Sequence, residues 1–491
     1  MKKKKTLVSL LLTLVLLFGL CSCGGGGGSS AASVKLDPKI PITVTIWHYY
    51  NGAVMNAFDQ QVKIFNETVG LEQGIIILGS GMGNVGELRD AVLAAARKEV
   101  GSPDMPNIFA SYADTAYAAE QMSILADLEQ FFTEAELDEY MAGYIDEGRI
   151  GDNNELRIFP IAKSTEILML NETDWAPFAA ATGHSHEDLA TPESLAEVAK
   201  AYYEWTDAKT PAVANDGRAF YGRDAIANMM IIGAKQLGAP IINVDKGTAT
   251  ITADKDAMRR IWDTYYLPYV SGYFLSAGRY RSDDTKVGEL ISYAGSTSSA
   301  MYFPAEVTVD GNTYPVEATI LPTPVFAGAA PVMVQQGAGM AVTKSTPQAE
   351  YASAVFLKWF TDTEVNVQFS AQSGYMPVKK EANNYDTYMA IVTENGIPQD
   401  EISQRTLAVA FEAVNNSELY TSKAFSGGSQ ARAILETLIQ DKAVADRAAV
   451  VALLDGGATL DEALADYSSD ANFEAWYSEL DSKLQDTLTA K

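Results

Sequence analysis

The sequence predicts an α/β protein of two lobes, and three observations carry that prediction. From Ile42 onward, short apolar strand patterns alternate with helical ones, as parallel βαβ units do. About 455 residues follow a Gly/Ser-rich N-terminal segment, beyond the ~250–300 at which a single core stops growing. Hydrophobic residues make up 47% of the chain, enough material for two cores.

The N-terminus reads as a secretory leader. Lys2 to Lys5 form a basic stretch, and Leu7 to Leu20 follow without a charge. That run suits the apolar region of a signal peptide and is shorter than the ~20 residues a membrane span needs. Leu20-Cys21-Ser22-Cys23 resembles the bacterial lipobox, which implies a signal peptide over 1–22 and a lipid on Cys23. Cys21 fits less well, because Leu20 rather than a small residue precedes it. The plainer alternative is an ordinary secretory leader with incidental cysteines. Residues 23–38, with Gly24 to Gly28 and a Ser/Ala run, form a tether too small in its side chains to build a core. The expected location is therefore extracytoplasmic, with the lipid as the single attachment to the bacterial membrane.

Both cysteines, Cys21 and Cys23, lie before the body, which can therefore form neither a disulfide nor a thiolate metal site. His184 and His186 sit in the polar run Gly183-His-Ser-His-Glu, which reads as a solvated loop and not a metal site. The formal net charge of −27 argues against nucleic acid as a partner, since binding it requires lysine and arginine to neutralise phosphates.

Along the body, Ile42 to Ile46 alternates as a strand and leads into Trp47-His48-Tyr49-Tyr50. Val54, Phe58, Val62 and Phe65 then line one face of a helix. Ile75 to Leu78 is a second strand, followed by a Gly-rich turn and a helix over about 86–98. Pro106 to Ala110 is a third, ending in Ser111-Tyr112-Ala113-Asp114. Ligands of open α/β sheets sit at the carboxyl ends of strands, where these loops lie. A second lobe is expected from about Arg157. Thr191 and Pro192 cap and open a helix carrying Leu195, Val198, Ala199 and Tyr202. Hairpins are expected over 244–251 and around Val309-Asp310-Gly311-Asn312. Thr346 and Pro347 start a helix whose Ala352, Val355, Phe356, Trp359 and Phe360 make a core stripe, and the chain from Asp386 reads as mostly helical.

Several of these segments, in this order, resemble the extracellular solute-binding proteins of ATP-driven sugar importers, the group that contains maltose-binding protein. Ile42 to Tyr50 is similar to that family's first strand and aromatic loop, and Phe159 to Asn171 to its first crossover between lobes. Val244 to Arg260 with Gly272-Tyr273 is similar to its hairpin and helix. Gly337 to Val342 through Ser373-Gly374-Tyr375-Met376-Pro377-Val378 matches its late glycine segment and Gly-Tyr-x-Pro-Val ending. The resemblance implies a type II periplasmic-binding-protein-like fold, two α/β lobes joined by hinge strands around a ligand cleft. It implies an N-terminal lobe of 39–155 plus 295–331, a C-terminal lobe of 156–294 plus 332–491, and crossings near 155, 295 and 332. It further implies a monomer that captures a carbohydrate for the membrane permease of an ABC transporter, without cofactor or catalysis.

Sugars present apolar faces ringed by hydroxyls, so a site for them needs ring planes and groups that both donate and accept. Trp47, Tyr49, Tyr50 and Tyr112 supply planes and Asp114 an acceptor, although some of these rings must point into the core. The resemblance places Lys163 and Ser164, Ser296 and Ser298, and Gln335, Gly337 and Tyr375 beside the ligand, with Asn228 on a second-lobe helix. Gly81-Met82-Gly83-Asn84-Val85-Gly86 fits G-x-G-x-x-G, but an exported chain lies apart from dinucleotide pools. A helix start at Asn84 with free amides would instead hold a phosphate or carboxylate of the ligand, which makes a polyol phosphate the alternative guest. Against it, glycerol-phosphate-binding members carry a Tyr in the turn and a Glu after the third strand, where this chain has Val85 and Ala113.

Enzyme readings find little support. Gly427-Gly428-Ser429-Gln430-Ala431 has the outline of a nucleophile elbow, but all three histidines precede it, which breaks the α/β-hydrolase order. A surface glycosidase, needing only two suitably spaced carboxylates, is the remaining catalytic alternative.

Overall fold

A computed structural model describes residues 34–489 apart from Asp152 and Asp310. The leader, the lipidation motif at Cys23, most of the tether and the Asp310 turn position lie outside the described residues.

Two sheets organise the body. The first runs Ile75–Gly81, Ile42–His48, Ile108–Ser111, Gly339–Val342, Ile158–Phe159. Its first three strands are parallel, and Gly339–Val342 is antiparallel to both neighbours. The second runs Ala318–Pro322, Glu166–Asn171, Ser292–Ser296, Tyr221–Arg223, antiparallel except between Ser292–Ser296 and Tyr221–Arg223.

Each sheet carries its own core because helices cover it with the apolar stripes the sequence predicts. Helices Gly52–Glu67 and Pro347–Phe360 bring Phe58, Phe65, Phe356 and Phe360 onto the first sheet, with the Phe65 and Phe356 rings edge-on at 5.2 Å. On the second sheet Trp262 stacks on Tyr266 and meets Trp476 at 4.9 Å. Helices Gly428–Asp455 and Asp470–Thr487 return to this core with Leu435, Ile439 and Leu480. The hairpins form as Ile242–Asp245 with Thr248–Ile251 and as Glu306–Val309 with Asn312–Pro315. The Thr191 side chain accepts from Ser194 N at 3.1 Å, as its position before Pro192 predicts.

The lobe boundaries differ from those expected. Ala318–Pro322, expected in the first lobe, is an edge strand of the second sheet, and its Ala318 and Ile320 pack against Ile167 and Met169. The chain therefore does not cross near 295. Gly339–Val342 and the helix after it, expected in the second lobe, belong to the first core. Glycine at 339 makes that pairing possible, since a Cβ there would stand 2.4 Å from Ile158 Cγ2 and 2.7 Å from Phe159 O. Strand Ile158–Phe159 also lies in the first sheet, so the first crossing follows it, over 160–165. The second lies between Pro322 and Gly339, and a third brings the chain back to the second core before Phe425.

The first two crossings are tied to each other and to the late Gly-Tyr segment. Lys163 N donates to Met376 O at 3.0 Å, and Ser164 N to Gln336 O at 2.9 Å, with the reciprocal bonds also formed. Gly337 has φ +101°, and its Cβ would meet Ala162 O at 3.0 Å, so only glycine keeps the strands this close without strain. The hinge is thus a bundle of hydrogen-bonded main chain.

Candidate functional site

A cavity of about 490 Å³ lies between the two lobes and receives side chains from both. From the first come Tyr112 and Asp114, placed where the third strand ends and helix Ala113–Gln121 begins, with Arg89 and Glu147. From the second come Asn228, at the start of helix Ile226–Gln236, and Ser429 and Arg432, in the first turns of helix Gly428–Asp455. Gln335 and Gln336 of the second crossing line it as well.

The second-lobe wall is held by a buried polar chain. Asn228 Nδ2 donates to Glu166 Oε1 at 2.7 Å and to Gln336 Oε1 at 3.0 Å, and its Oδ1 accepts from Arg432 at 2.7 Å. Glu166 is also ion-paired with Arg223. One turn beyond Arg432, Glu436 accepts from Ile226 N and Ala227 N at 3.2 and 2.7 Å, fixing the helix that carries Asn228. The Arg432 guanidinium is therefore positioned, yet among the described residues it pairs with no carboxylate. Across the cavity, Ser429 Oγ donates to Asp114 Oδ2, and Lys423 reaches Asp146 at 3.1 Å. The lobes touch directly in this arrangement.

Three tyrosines meet on the first-lobe side. The Tyr49 and Tyr112 rings are near-parallel at 6.4 Å, and the Tyr49 hydroxyl is hydrogen-bonded with Tyr375 and Tyr112. Burial raises the phenol of Tyr112 to about 12, with Tyr375 adding to it, and burial raises Tyr49 and Tyr375 above the usual value too. All three stay neutral donors through ordinary pH. The raised pKa of Tyr112 contributes stability that is complete below pH 10 and lost as pH rises towards 12. Wild type should accordingly lose about 2 kcal/mol more than Tyr112→Phe between pH 9 and pH 11.5 in urea unfolding. Equal losses in the two proteins would show the phenol to be unperturbed.

Of the residues expected at the site, Tyr112, Asp114, Asn228 and Gln335 line this cavity, and Tyr49 and Tyr375 stand behind Tyr112. Others are placed elsewhere. Trp47 is buried in the first core because the parallel sheet is covered on both faces, so Trp47 and His48 on opposite faces are both enclosed. Tyr50 packs on His48 and Phe58. Asn84 is exposed, and its side chain accepts from Gly86 N and Glu87 N as a helix cap. Lys163 is only 2% exposed and is committed to Glu147 at 2.7 Å and Gly337 O at 2.8 Å. Ser164 and Gly337 hold the crossings together, and neither lines the cavity. Ser296 bonds to Ser298 at 2.9 Å, and Ser298 lines a different cavity.

Arg432, Ser429 and Glu147 contribute to the site but are not reached from the sequence. Ser429 and Arg432 are three apart in helix Gly428–Asp455, hence on one face, but the sequence marks no helix start there. Glu147 is one of 63 acidic residues with nothing to mark it.

His184 and His186 bond to Asp188 and Glu172, at 3.2 and 3.0 Å. Among the described residues no group of three or more His, Cys, Asp or Glu is placed to hold a metal, and no helix is long and apolar enough to cross a membrane.

Comparison with known proteins agrees with this architecture. The family model described as bacterial extracellular solute-binding protein matches residues 60–395. The fold is similar to that of the cyclic α-maltosyl-1,6-maltose binding protein of Arthrobacter globiformis, with a TM-score of 0.66 and 17% identity over 91% of this chain and 99% of the other. It is similar to UgpB of Mycobacterium tuberculosis, solved with glycerophosphocholine, with a TM-score of 0.62 and 17% identity over 91% and 99% of the two chains. It is also similar to the maltose-bound MalE3 of T. maritima, at 0.56 and 14% over 89% and 99%. Comparison with curated sequences found no match.

Proposed function

Because the chain belongs to the bacterial extracellular solute-binding protein family, we propose that it captures a carbohydrate in the interlobe cavity and delivers it to the permease of an ABC-type importer. It is a binding protein and not an enzyme, as its family is. The observation that carries the carbohydrate reading is the composition of the cavity wall. Tyr112 offers a ring and a hydroxyl, Asp114 and Glu147 accept, Arg432 donates, and Asn228 and Gln336 can do both. Hydroxyls of a sugar, each donor and acceptor at once, match such a mixed set. A lipid on Cys23 and the Gly/Ser tether would hold the protein, as a monomer, outside the membrane beside its permease.

A second reading is favoured by one specific feature. Arg432 projects a guanidinium into the cavity without a carboxylate partner, which suits a phosphate on a polyol ligand. Asp114, a carboxylate of the same cavity that no cation pairs among the described residues, offsets the Arg432 charge and favours the neutral sugar, while Glu147 is already paired with Lys163. Calorimetric titration of the purified protein with a panel of mono- and oligosaccharides, beside glycerol 3-phosphate, separates the two. We expect at least one neutral sugar to bind with a micromolar or lower Kd and the phosphate ester to bind at least tenfold more weakly. Tight binding of the ester alone would replace the carbohydrate reading by the second.

A further inference from the structure

The sequence holds two Asn-Gly pairs, Asn51-Gly52 and Asn395-Gly396. In such a pair the main-chain nitrogen of glycine can attack the asparagine side-chain carbonyl, because glycine has no Cβ to obstruct the approach. The nitrogen bonds to Cγ and closes a five-membered ring, the Cγ–Nδ2 bond breaks, and ammonia leaves with the glycine amide proton. Water then opens the ring, at Cγ to give aspartate or at the main-chain carbonyl to give isoaspartate. The reaction consumes water and no other reagent. Both asparagines are exposed, so exposure does not distinguish them. The difference lies in how the reacting groups are held.

At Asn395 every reacting group is engaged. Its Nδ2 donates to Glu364 Oε1 at 3.3 Å and to Ile391 O at 3.0 Å, and its Oδ1 accepts from Gln368 Nε2 at 3.0 Å. The attacking nitrogen is held as well, since Gly396 N donates to Thr393 O at 3.1 Å. At Asn51 these groups are free. Its side chain stands at the cap position of helix Gly52–Glu67 yet accepts from no amide there. Gly52 N is the first amide of that helix, a position with no acceptor inside the helix. Gly52 has φ +52°, and a Cβ on it would meet nothing within 4 Å, so the ring has room to form. Closure turns ψ of Asn51 away from its 170°, and the bond this disturbs is a long one, Met55 N to Asn51 O at 3.2 Å. From this contrast we infer that Asn51 is a site of spontaneous deamidation and that the fold protects Asn395. Asn51 lies two residues after Tyr49, whose hydroxyl is hydrogen-bonded with Tyr112 and Tyr375. The aspartate product places a carboxylate at the start of a helix whose first turn carries no acid, where the helix dipole favours it. The isoaspartate product lengthens the main chain by one carbon between Tyr50 and that helix. The inference does not depend on what the interlobe cavity binds.

The test is to age the purified protein in mildly alkaline buffer, where the attacking nitrogen loses its proton more readily, both folded and unfolded in urea. Peptide mapping by mass spectrometry follows the two asparagines over time. In the folded protein Asn51 should convert at least tenfold faster than Asn395, because Asn395 must first open its hydrogen bonds. In urea, where the fold holds neither, the two rates should come within threefold of each other. The inference is overturned if Asn51 stays intact in the folded protein while both convert in urea, or if Asn395 converts as fast as Asn51 in the folded protein. It is overturned too if the folded-state ratio persists in urea, which would assign the difference to neighbouring sequence and not to the fold.

Discussion

Replacing Arg432 by Ala is expected to weaken binding of the proposed carbohydrate about 10- to 100-fold, with a stability loss of about 1 kcal/mol. The reasoning starts from what the guanidinium does in the free protein. It spends one N–H on Asn228 Oδ1, at 2.7 Å, and lines the cavity with the others. A hydrogen bond to a charged group contributes ~1.5–3 kcal/mol, and each ~1.4 kcal/mol is tenfold in affinity. Asn228 Oδ1 loses its Arg432 donor, which costs about 1 kcal/mol, the low end for a stranded acceptor. The loss stays small because Asn228 Nδ2 keeps its bonds to Glu166 and Gln336 and Glu436 still holds the helix. Arg432→Lys should recover only part of the loss, since an ammonium cannot bond Asn228 and a ligand oxygen with the same planar fork. Calorimetry with the best ligand of the panel measures this. An Ala variant that binds within twofold of wild type would remove Arg432 from the site.

Lys163→Met should destabilise the protein by about 3 kcal/mol, the low end of the ~3–5 kcal/mol that follows when one partner of a buried ion pair is removed. Lys163 Nζ donates to Glu147 Oε2 and to Gly337 O, and the Glu147 side chain is only 11% exposed. Removing the ammonium strands a carboxylate that retains one donor, Gln335 Nε2 at 3.0 Å, which is why the low end applies. The Gly337 carbonyl also loses its side-chain donor at the point where the crossings are closest. Adding Glu147→Gln to the same chain removes the stranded charge and should return most of the loss. Urea unfolding of wild type, single and double variants measures the effect, and a single variant within 1 kcal/mol of wild type would contradict it.

The elements of this fold were largely legible because their periodicities are strong. Phe58, Val62 and Phe65, or Ala352, Phe356 and Phe360, can be buried together only on a helix, and Thr191-Pro192 marks a helix start chemically. Membership of a sheet was not legible. Ala318–Pro322 and Gly339–Val342 are both short apolar strands, and nothing in either says which sheet it joins. That is decided by partners far away in sequence, Ile167 and Met169 for one and Ile158 and Phe159 for the other. The site divides the same way. Tyr112 and Asp114 were legible because they follow a strand at its carboxyl end, where α/β folds place ligands. Trp47 follows the same rule and fails it, since the covered sheet encloses the last side chains of its strand on both faces. Arg432 was hidden because its role depends on a helix that returns from the end of the chain to the second lobe. A helical residue faces a cleft only once that docking is known.

The account rests on the ligand being held by both lobes at once, so that binding favours the arrangement in which Asp114 and Ser429 meet. Small-angle scattering of the purified protein, titrated with its best-binding sugar, tests this most directly. The radius of gyration should fall as ligand is added, with the same midpoint as the calorimetric isotherm. Saturating, stoichiometric binding with an unchanged radius of gyration would contradict it.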